Sequence, residues 1–455
     1  MLNRLTFLLG LLIAVTLCPL MAGYAEAAPP NKFSMSRQPE IRVGIWSNQS
    51  SIVVSSDVAF VLADSRTNKK LGEFSAKDKV SVTGKKGQIV INGKQTTANG
   101  LHLVMSDKSG EHYFEVNRKR YRGAVSIHRT AGKEGLTVVN TLPLEQYLYG
   151  IVPEEMPGEW PMEAVKAQAV AARTFALNHL NKHSSDGYDV CATTHCQVYG
   201  GKNSETVRTT KAVDDTFGQV LLYQGKPIEA MFHSSAGGTF TEDSENVWGG
   251  SYAYLRSVSD YDRQSPYLHW NKQITPQEMD QSLSRAGYSI GRVIAIELSP
   301  LGQAPVKAKD RGVSGRVKSI GFIGEKGRVE LSGNQVRSML ALSSTLFEVK
   351  AVVPTVKGID VKITDRYGDR ETKIIDVNVP PQEEKGLLTD KENIIRIAGR
   401  KNEVWEFSGS GSGHGVGLSQ WGAKSMAEQA PQEDATYFKE ILKHYYQSTV
   451  VKKVY

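Results

Sequence analysis

The chain has 455 residues, of which 40% are hydrophobic, and it carries 55 Lys and Arg against 48 Asp and Glu. This length can bury ample core and exceeds the common single-domain size of about 100–150 residues. We find no internal repeat and no long low-complexity segment, which excludes a repeat array. The net charge of +7 fits a polyanionic partner, and it fits moderate basicity for solubility equally well.

The N-terminus reads as a secretory signal over residues 1–27, followed by a linker over 28–40. Arg4 gives a positive start, the stretch from Leu5 to Met21 is apolar and uncharged, and Ala25-Glu-Ala27 supplies a cleavage site. Uncleaved, the apolar stretch is just long enough for a membrane anchor. For a secreted protein the polyanions at hand are teichoic acids, phospholipid headgroups and peptidoglycan carboxylates. We therefore expect no nucleic-acid partner, and membrane contact only through this segment.

Residues 41–140 predict a β-rich region made of short strands. The predicted strands are Ile41–Ile45, Lys79–Val82, Gln88–Ile91, Tyr113–Val116 and Leu136–Val139. Asn92-Gly93 predicts a tight hairpin turn after the third of them. No catalytic constellation occurs in this region, so we interpret it as a scaffold or wall-contacting module.

The most informative segment runs from Leu144 to Thr174 and sets four carboxylates among prolines. They are Glu154, Glu155, Glu159 and Glu163. Pro157 and Pro161 prevent the following helix from starting earlier, because proline lacks an N–H and disfavours the α conformation in the residue before it. The pattern predicts Pro161 at the first helical position, with Glu154 and Glu155 on a rigid turn at the mouth of the helix.

The Ala-rich helix that follows has two sets of side chains. Small apolar residues recur at a spacing of 3.6 and predict a packed face: Val165, Ala169, Ala172, Ala176 and Leu180. Lys166 and Arg173 are seven apart and share another face. They are candidates for substrate binding, and the alternative is a solvated face on which Glu163 pairs with Lys166.

Cys191, His195 and Cys196 predict either a short-loop disulfide or part of a structural zinc site. Two cysteines outside the cytoplasm usually pair or bind metal. Zinc takes four N, S or O ligands, and this cluster supplies three. The fourth is expected from His183 or Asp189.

The last signature, Ser408 to Ala423, is rich in glycine and contains His414 and Gln420. No Lys-Ser/Thr follows the glycines, which excludes a phosphate-binding loop. Adjacent His233 and Ser234 lack a nucleophile elbow, which argues against a Ser/His hydrolase. Residues 351–400 are charged and weakly patterned, and we expect an insertion there.

The segment Glu155-Met-Pro, Trp160-Pro, then Ala164-Val-Lys-Ala-Gln-Ala-Val-Ala-Ala-Arg-Thr174 resembles the stage II sporulation protein D (SpoIID/LytB) family. The elements at Gln197, His233–Gly238 and Leu331–Arg337 are similar to further parts of that family. The resemblance implies a peptidoglycan-active protein of the bacterial cell envelope, secreted and wall-associated. It places the catalytic acid at Glu155, puts His414 and Gln420 near the glycan groove, and implies zinc at the cysteines in some members.

We therefore expect a strand-rich α+β fold with SpoIID-like regions at 41–140, 141–350 and 401–455. Its groove is expected to be lined by Glu155, the Lys166 and Arg173 helix face, and the loop at His414. The implied activity is a lytic transglycosylase, which needs one glutamate because the muramic C6 hydroxyl is the nucleophile. Such an acid must be protonated near neutrality, which requires a partly buried setting. The rival interpretation is a non-catalytic enhancer of a cell-wall amidase.

Overall fold

The structure is a computed structural model, and it describes residues 33–85, 87–107, 109, 111–353, 359–364, 370–375, 393–400, 402–431 and 434–455. The fold mixes helix and strand, 21% and 34% respectively, which is compatible with the predicted α+β class. The predicted signal, residues 1–27, lies outside the described residues. Within the described part of the chain, no helix is both long and apolar enough to cross a membrane.

Twelve strands occupy residues 40–143 and form most of two sheets. They are β1 (Glu40–Gln49), β2 (Ser51–Ser56), β3 (Phe60–Asp64), β4 (Lys70–Phe74), β5 (Val80–Lys85), β6 (Gln88–Ile91), β7 (Lys94–Gln95), β8 (Gly100–Met105), β9 (Phe114–Val116), β10 (Lys119–Tyr121), β11 (Ala124–Arg129) and β12 (Leu136–Pro143). The predicted strands of this region are confirmed. Asn92 and Gly93 both have positive φ, 46° and 82°, as a two-residue hairpin turn between β6 and β7 requires.

The middle of the chain adds helices around one buried helix. Its elements are α1 (Leu144–Tyr149), α2 (Val152–Glu155), α3 (Met162–Asn178), β13 (Val190–Cys191), α4 (Val207–Asp215), β14 (Gln219–Tyr223), β15 (Lys226–Pro227), β16 (Phe232–His233) and α5 (Glu245–Trp248). The long helix α3 begins one residue after Pro161, which is its N-cap rather than its first residue. It packs against α1, α4 and β14, and so it is buried on every side.

The next elements follow in chain order, and most of them contribute residues to a second apolar cluster. They are β17 (Trp270–Ile274), α6 (Pro276–Arg285), β18 (Val293–Glu297), β19 (Ser319–Gly324), β20 (Gly327–Ser332), α7 (Gly333–Met339), β21 (Leu346–Val352), β22 (Ile359–Thr364), β23 (Arg370–Ile375), β24 (Ile394–Arg396) and β25 (Val404–Ser410). Buried Phe322, Phe347, Trp405 and Phe407 lie in this cluster. Within the predicted insertion, β22 and β23 pair as a hairpin and β24 joins β18.

The C-terminal elements return to the first core. They are β26 (Leu418–Ser419), α8 (Gln420–Glu428), α9 (Phe438–Tyr445) and β27 (Val450–Lys453). The sheets run in the order β13-β1-β12-β11-β8-β3-β4, β10-β9-β2-β5-β6-β7, β15-β14-β27, β16-β26, β17-β25-β21, β20-β19-β18-β24 and β22-β23. The loop over 411–417, which we call the glycine loop, therefore joins β25 of the second cluster to β26 of the first.

Candidate active site

Glu154 and Glu155 end the short helix α2, and their carboxylates have different surroundings. Glu154 is exposed and accepts a hydrogen bond from the Ser204 hydroxyl. Glu155 is partly buried, and its Oε2 accepts a hydrogen bond of 3.2 Å from Nε2 of Gln420. The following residue, Met156, is fully buried and anchors the end of the helix. The two carboxylates therefore differ in their hydrogen-bond partners as well as in their burial.

Burial controls the acidity of Glu155. Loss of water around the carboxyl raises its pKa to about 7. The hydrogen bond from Gln420 and one from the Val198 backbone oppose this shift, and the negative charge of Glu154 adds to it. A carboxyl with this pKa is substantially protonated near neutrality, so it can donate a proton and later accept one.

Gln420 owes its position to a helix start. It is the first residue of α8, where the Ser419 hydroxyl caps the helix by accepting from the Gly422 N–H at 3.2 Å. The side chain of Gln420 is almost fully buried, so its amide is held toward Glu155. A side chain on Gly422 would lie 2.0 Å from the buried carboxylate of Asp260, and glycine is therefore required there.

Two tryptophans, one five residues after Glu155 and one directly after Gln420, contact each other. The rings of Trp160, in the turn after α2, and Trp421, next to Gln420, meet edge to face at 4.8 Å. Both are half-buried. The Lys424 ammonium lies 5.9 and 5.4 Å from their ring centres. An aromatic surface with a cation at its border is a suitable contact for a sugar ring.

Arg173 does not face a groove, which corrects the expectation that it binds substrate. It is fully buried, and its guanidinium forms a two-pronged ion pair with Glu145 at 2.8 and 2.6 Å. Its remaining donors reach the carbonyls of Val213 and Gln219, each at 3.1 Å. The sequence pattern suggested an exposed face because it does not reveal that α3 is surrounded.

Lys166 is also buried, and the expectation that it contacts substrate is corrected in the same way. Its ammonium donates to Glu163 Oε1 at 2.8 Å and to the Ala435 carbonyl at 3.2 Å, and lies 3.7 Å from Asp215. Glu163 Oε2 in turn accepts from the Phe438 N–H at 3.0 Å. The predicted Glu163–Lys166 pair therefore exists, but it ties α3 to α9 inside the protein.

His414 lies in the glycine loop as a neutral ring. Burial, followed by the charges of Arg337 and Arg316, lowers its pKa to about 3. Its Nδ1 accepts from the Val416 N–H at 3.1 Å, while the imidazole of His233 hydrogen-bonds the Val416 carbonyl at 3.1 Å. His414 is thus held by the loop and is not joined to the Glu155 carboxyl by any of these contacts.

Arg316 was not singled out by sequence and supports the same loop. Its side chain is fully buried and donates to the Ala236 carbonyl at 2.9 Å. Gly415, with φ of 83°, packs directly on this guanidinium, since a Cβ there would lie 2.0 Å from Arg316 Nε. The only sequence signal for such a contact was the dense spacing of glycines.

The cysteine cluster brings four ligand atoms together. Those of His183, Cys191, His195 and Cys196 all lie within 4.8 Å of one another. Cys196 Sγ is 3.4 Å from His183 Nε2, and both sulfurs are 3.7 Å from His195 Nδ1. Asp189, the other candidate for fourth ligand, instead pairs with Arg42 at 2.7 Å.

This cluster fits tetrahedral zinc. Metal–ligand bonds of about 2.0–2.3 Å place tetrahedral ligand atoms roughly 3.3–3.8 Å apart, which matches the three separations of 3.4, 3.7 and 3.7 Å. The two thiols are free. The loop then continues from Cys196 to Val198, whose backbone hydrogen-bonds Glu155.

Comparison with known proteins gives the family. The sequence profile described as SpoIID, Stage II sporulation protein, matches residues 132–223, and that of a domain of unknown function, DUF8618, matches 242–362. An amidase enhancer of Bacillus subtilis is 30% identical over 80% of this chain and 48% of its own length. The chain thus spans about half of that relative.

Two further relatives are covered more fully. A stage II sporulation protein D of Bacillus amyloliquefaciens is 30% identical over 72% of this chain and 79% of its own length. An uncharacterised protein of Brachyspira hyodysenteriae is 31% identical over 73% and 72%. These matches confirm the resemblance seen in the sequence, and the chain belongs to the stage II sporulation protein D family.

Proposed function

We propose that this protein is a peptidoglycan lytic transglycosylase that acts outside the cytoplasm on glycan strands, with Glu155 as its acid and base. The observation that carries the proposal is the setting of Glu155: a partly buried carboxyl with a pKa of about 7, held by Gln420. The relatives named for sporulation and for amidase enhancement support a role at the cell wall.

The reaction needs one titratable group. Protonated Glu155 donates its proton to the glycosidic oxygen between muramic acid and the next sugar, and the bond from that oxygen to C1 breaks. The C6 hydroxyl of the same muramic acid then attacks C1, while the Glu155 carboxylate takes the hydroxyl proton. The product is a 1,6-anhydro end, and the protonated acid is restored.

Two tryptophans, near the end of α2 and at the start of α8, suit contact with a glycan. The edge-to-face pair of Trp160 and Trp421 offers an apolar surface for a sugar ring, and Lys424 supplies positive charge at its border. Trp160 is five residues after Glu155 and Trp421 directly follows Gln420, and we propose that a sugar packed on this pair extends to the carboxyl. This placement orients the scissile bond and keeps water away from C1.

The residues His183, Cys191, His195 and Cys196 are proposed to hold a structural zinc ion. Zinc at such a site contributes folding free energy and keeps the ligands fixed. With its ligands fixed, the loop that contains Cys196 positions the Val198 backbone against Glu155. A disulfide between Cys191 and Cys196 is the alternative, and it would fix the same loop.

The activity is tested on purified peptidoglycan and on glycan strands stripped of peptides. Mass spectrometry of the soluble products is expected to show 1,6-anhydromuramic ends. Products with reducing ends alone would indicate a hydrolase, which normally needs a second carboxylate.

The second candidate is a non-catalytic enhancer of a cell-wall amidase, favoured by the 30% identical relative of that name. Under this alternative the protein binds glycan without releasing any product and raises the rate of an added amidase. The same digestion, run with and without N-acetylmuramoyl-L-alanine amidase, separates the two functions. The enhancer would be supported if Glu155→Gln still stimulated the amidase, and if neither wild type nor Glu155→Gln released product when the amidase was left out.

A further inference from the structure

A second set of groups outside the Glu155 site surrounds one side of helix α7. The Asn334 side chain donates to the Val247 carbonyl at 3.2 Å, which joins α7 to the end of α5. Arg337 is three residues after Asn334, so both side chains lie on the same helix face. On this face, Asn334 contacts the residue that directly precedes Trp248.

Arg337 has properties that an ordinary surface arginine lacks. It is partly buried, and among the described residues its guanidinium has no hydrogen-bond or ion-pair partner. Burial alone lowers its pKa, with no contribution from a neighbouring carboxylate. A guanidinium carries five N–H donors in a fork that matches a carboxylate. Leaving it partly buried and unpaired is costly unless a ligand supplies the acceptors.

Trp248 supplies an apolar surface next to this cation. Its side chain is 45% exposed, and its ring meets His414 edge to face at 4.9 Å. The positive charge of Arg337 contributes to lowering the pKa of His414. The Trp248 ring therefore lies against the glycine loop, and Arg337 lies on the helix face from which Asn334 contacts the residue before Trp248.

We propose that Trp248 and Arg337 form a subsite for a carboxylate-bearing sugar, with Asn334 fixing α7 against α5. The sugar ring packs on the exposed face of Trp248, and its carboxylate receives two hydrogen bonds from Arg337. The ligand class rests on the proposed function, because muramic acid carries a lactyl carboxylate and its attached peptides carry others. The glycine loop connects this subsite to Gln420, and thereby to Glu155.

The test measures binding in a Glu155→Gln background, so that no ligand is consumed. The ligands are peptide-free glycan strands, glycan fragments that keep their peptides, and chitin oligosaccharides, which share the sugar backbone but lack carboxylates. Arg337→Gln is compared with Arg292→Gln, which removes the same charge from an exposed ion pair with Glu325. Melting temperatures show whether each variant is folded.

Arg337→Gln is expected to weaken binding of peptide-free glycan about tenfold, which is the effect of losing about 1.4 kcal/mol, and to leave chitin binding unchanged. Arg337→Lys should restore part of the affinity through its charge. A larger loss on peptide-bearing fragments than on stripped strands would assign the carboxylate to the peptide, and equal losses would assign it to the lactyl group. Trp248→Ala should weaken all three ligands.

Two results would overturn the subsite. One is an equal loss of chitin and glycan binding in Arg337→Gln, and the other is a loss no larger than that in Arg292→Gln. Because binding is measured without cleavage, these outcomes are independent of whether Glu155 is the catalytic acid. Absence of 1,6-anhydro products would refute the proposed activity and leave the binding comparison intact.

Discussion

Nε2 of Gln420 donates a 3.2 Å hydrogen bond to Oε2 of Glu155, across 265 positions of sequence. This contact links helix α8, which begins at Gln420, to helix α2, which ends at Glu155. It stabilises the ionised carboxylate, while burial opposes ionisation more strongly. The balance between the two determines the pH at which the acid is available.

The first prediction concerns that pH. Because burial raises the pKa of Glu155 to about 7, kcat/KM should fall above about pH 7 as the free enzyme loses its proton. Replacing Gln420 with Leu removes a hydrogen bond to the charged form, so the pKa rises further and the alkaline limb moves to higher pH. Rates of anhydro product formation between pH 5 and 9 measure this shift. An alkaline limb that moves to lower pH in Gln420→Leu would contradict the assignment.

The second prediction separates the two adjacent glutamates. Glu155→Gln keeps the size of the side chain and removes its proton, so turnover should fall by about 10²–10⁴. Glu154→Gln should retain most activity, because Glu154 is exposed and bonds to Ser204. Removing its negative charge should also move the alkaline limb slightly to lower pH. Equal losses in both variants, with unchanged melting temperatures, would mean that the acid has been misassigned.

The third prediction concerns stability. The pKa of Glu155 is higher in the folded protein, about 7, than its ordinary value of 4.5. Ionisation of this group therefore destabilises the folded state as pH rises above 4.5, and the full cost is reached above about pH 7. Glu155→Gln should be close to wild type at pH 4.5 and more stable by about 1–3 kcal/mol at pH 8. Denaturant unfolding at both pH values measures the difference, and a gain that does not depend on pH would contradict the burial argument.

The extent of agreement between sequence and structure follows from the range of the interactions involved. Alternating strands and the Asn92-Gly93 turn depend on neighbours in the chain, and they were predicted correctly. The exposure of Lys166 and Arg173 was predicted wrongly, because a helical period indicates which residues share a face and not what packs on it. Their surroundings come from α1, α4 and α9, which are distant in sequence. For the same reason, the sequence did not predict the buried contacts of Arg316 or the surroundings of Arg337.

The fourth prediction concerns the cysteine cluster. If His183, Cys191, His195 and Cys196 bind zinc, purified protein should contain about one zinc per chain, and a strong chelator should lower its melting temperature. His195→Ala should lose metal without affecting Arg42 and Asp189, whose ion pair lies beside the cluster. Metal analysis measures the zinc content, and thiol titration after denaturation measures the number of free cysteines. Two free thiols with no metal would exclude the zinc site and the disulfide together.

The fifth prediction assigns Arg173 to stability rather than to substrate. Replacing it with Met leaves Glu145 buried without its ion pair, and breaking such a pair typically costs about 3–5 kcal/mol. Glu145 keeps hydrogen bonds from the Tyr455 hydroxyl at 2.7 Å and the Gly218 N–H at 3.1 Å, which should place the loss near the lower end.

The matched control is Lys211→Met, which removes an exposed pair with Asp215 and should change stability by no more than about 1 kcal/mol. The double variant Arg173→Met, Glu145→Leu should recover part of the lost stability, since no charge is then left unpaired. Glycan affinity, measured at a temperature where each variant is folded, should equal that of wild type. A loss of affinity in Arg173→Met without a loss of stability would restore Arg173 to the groove, because only contact with substrate would produce that pattern.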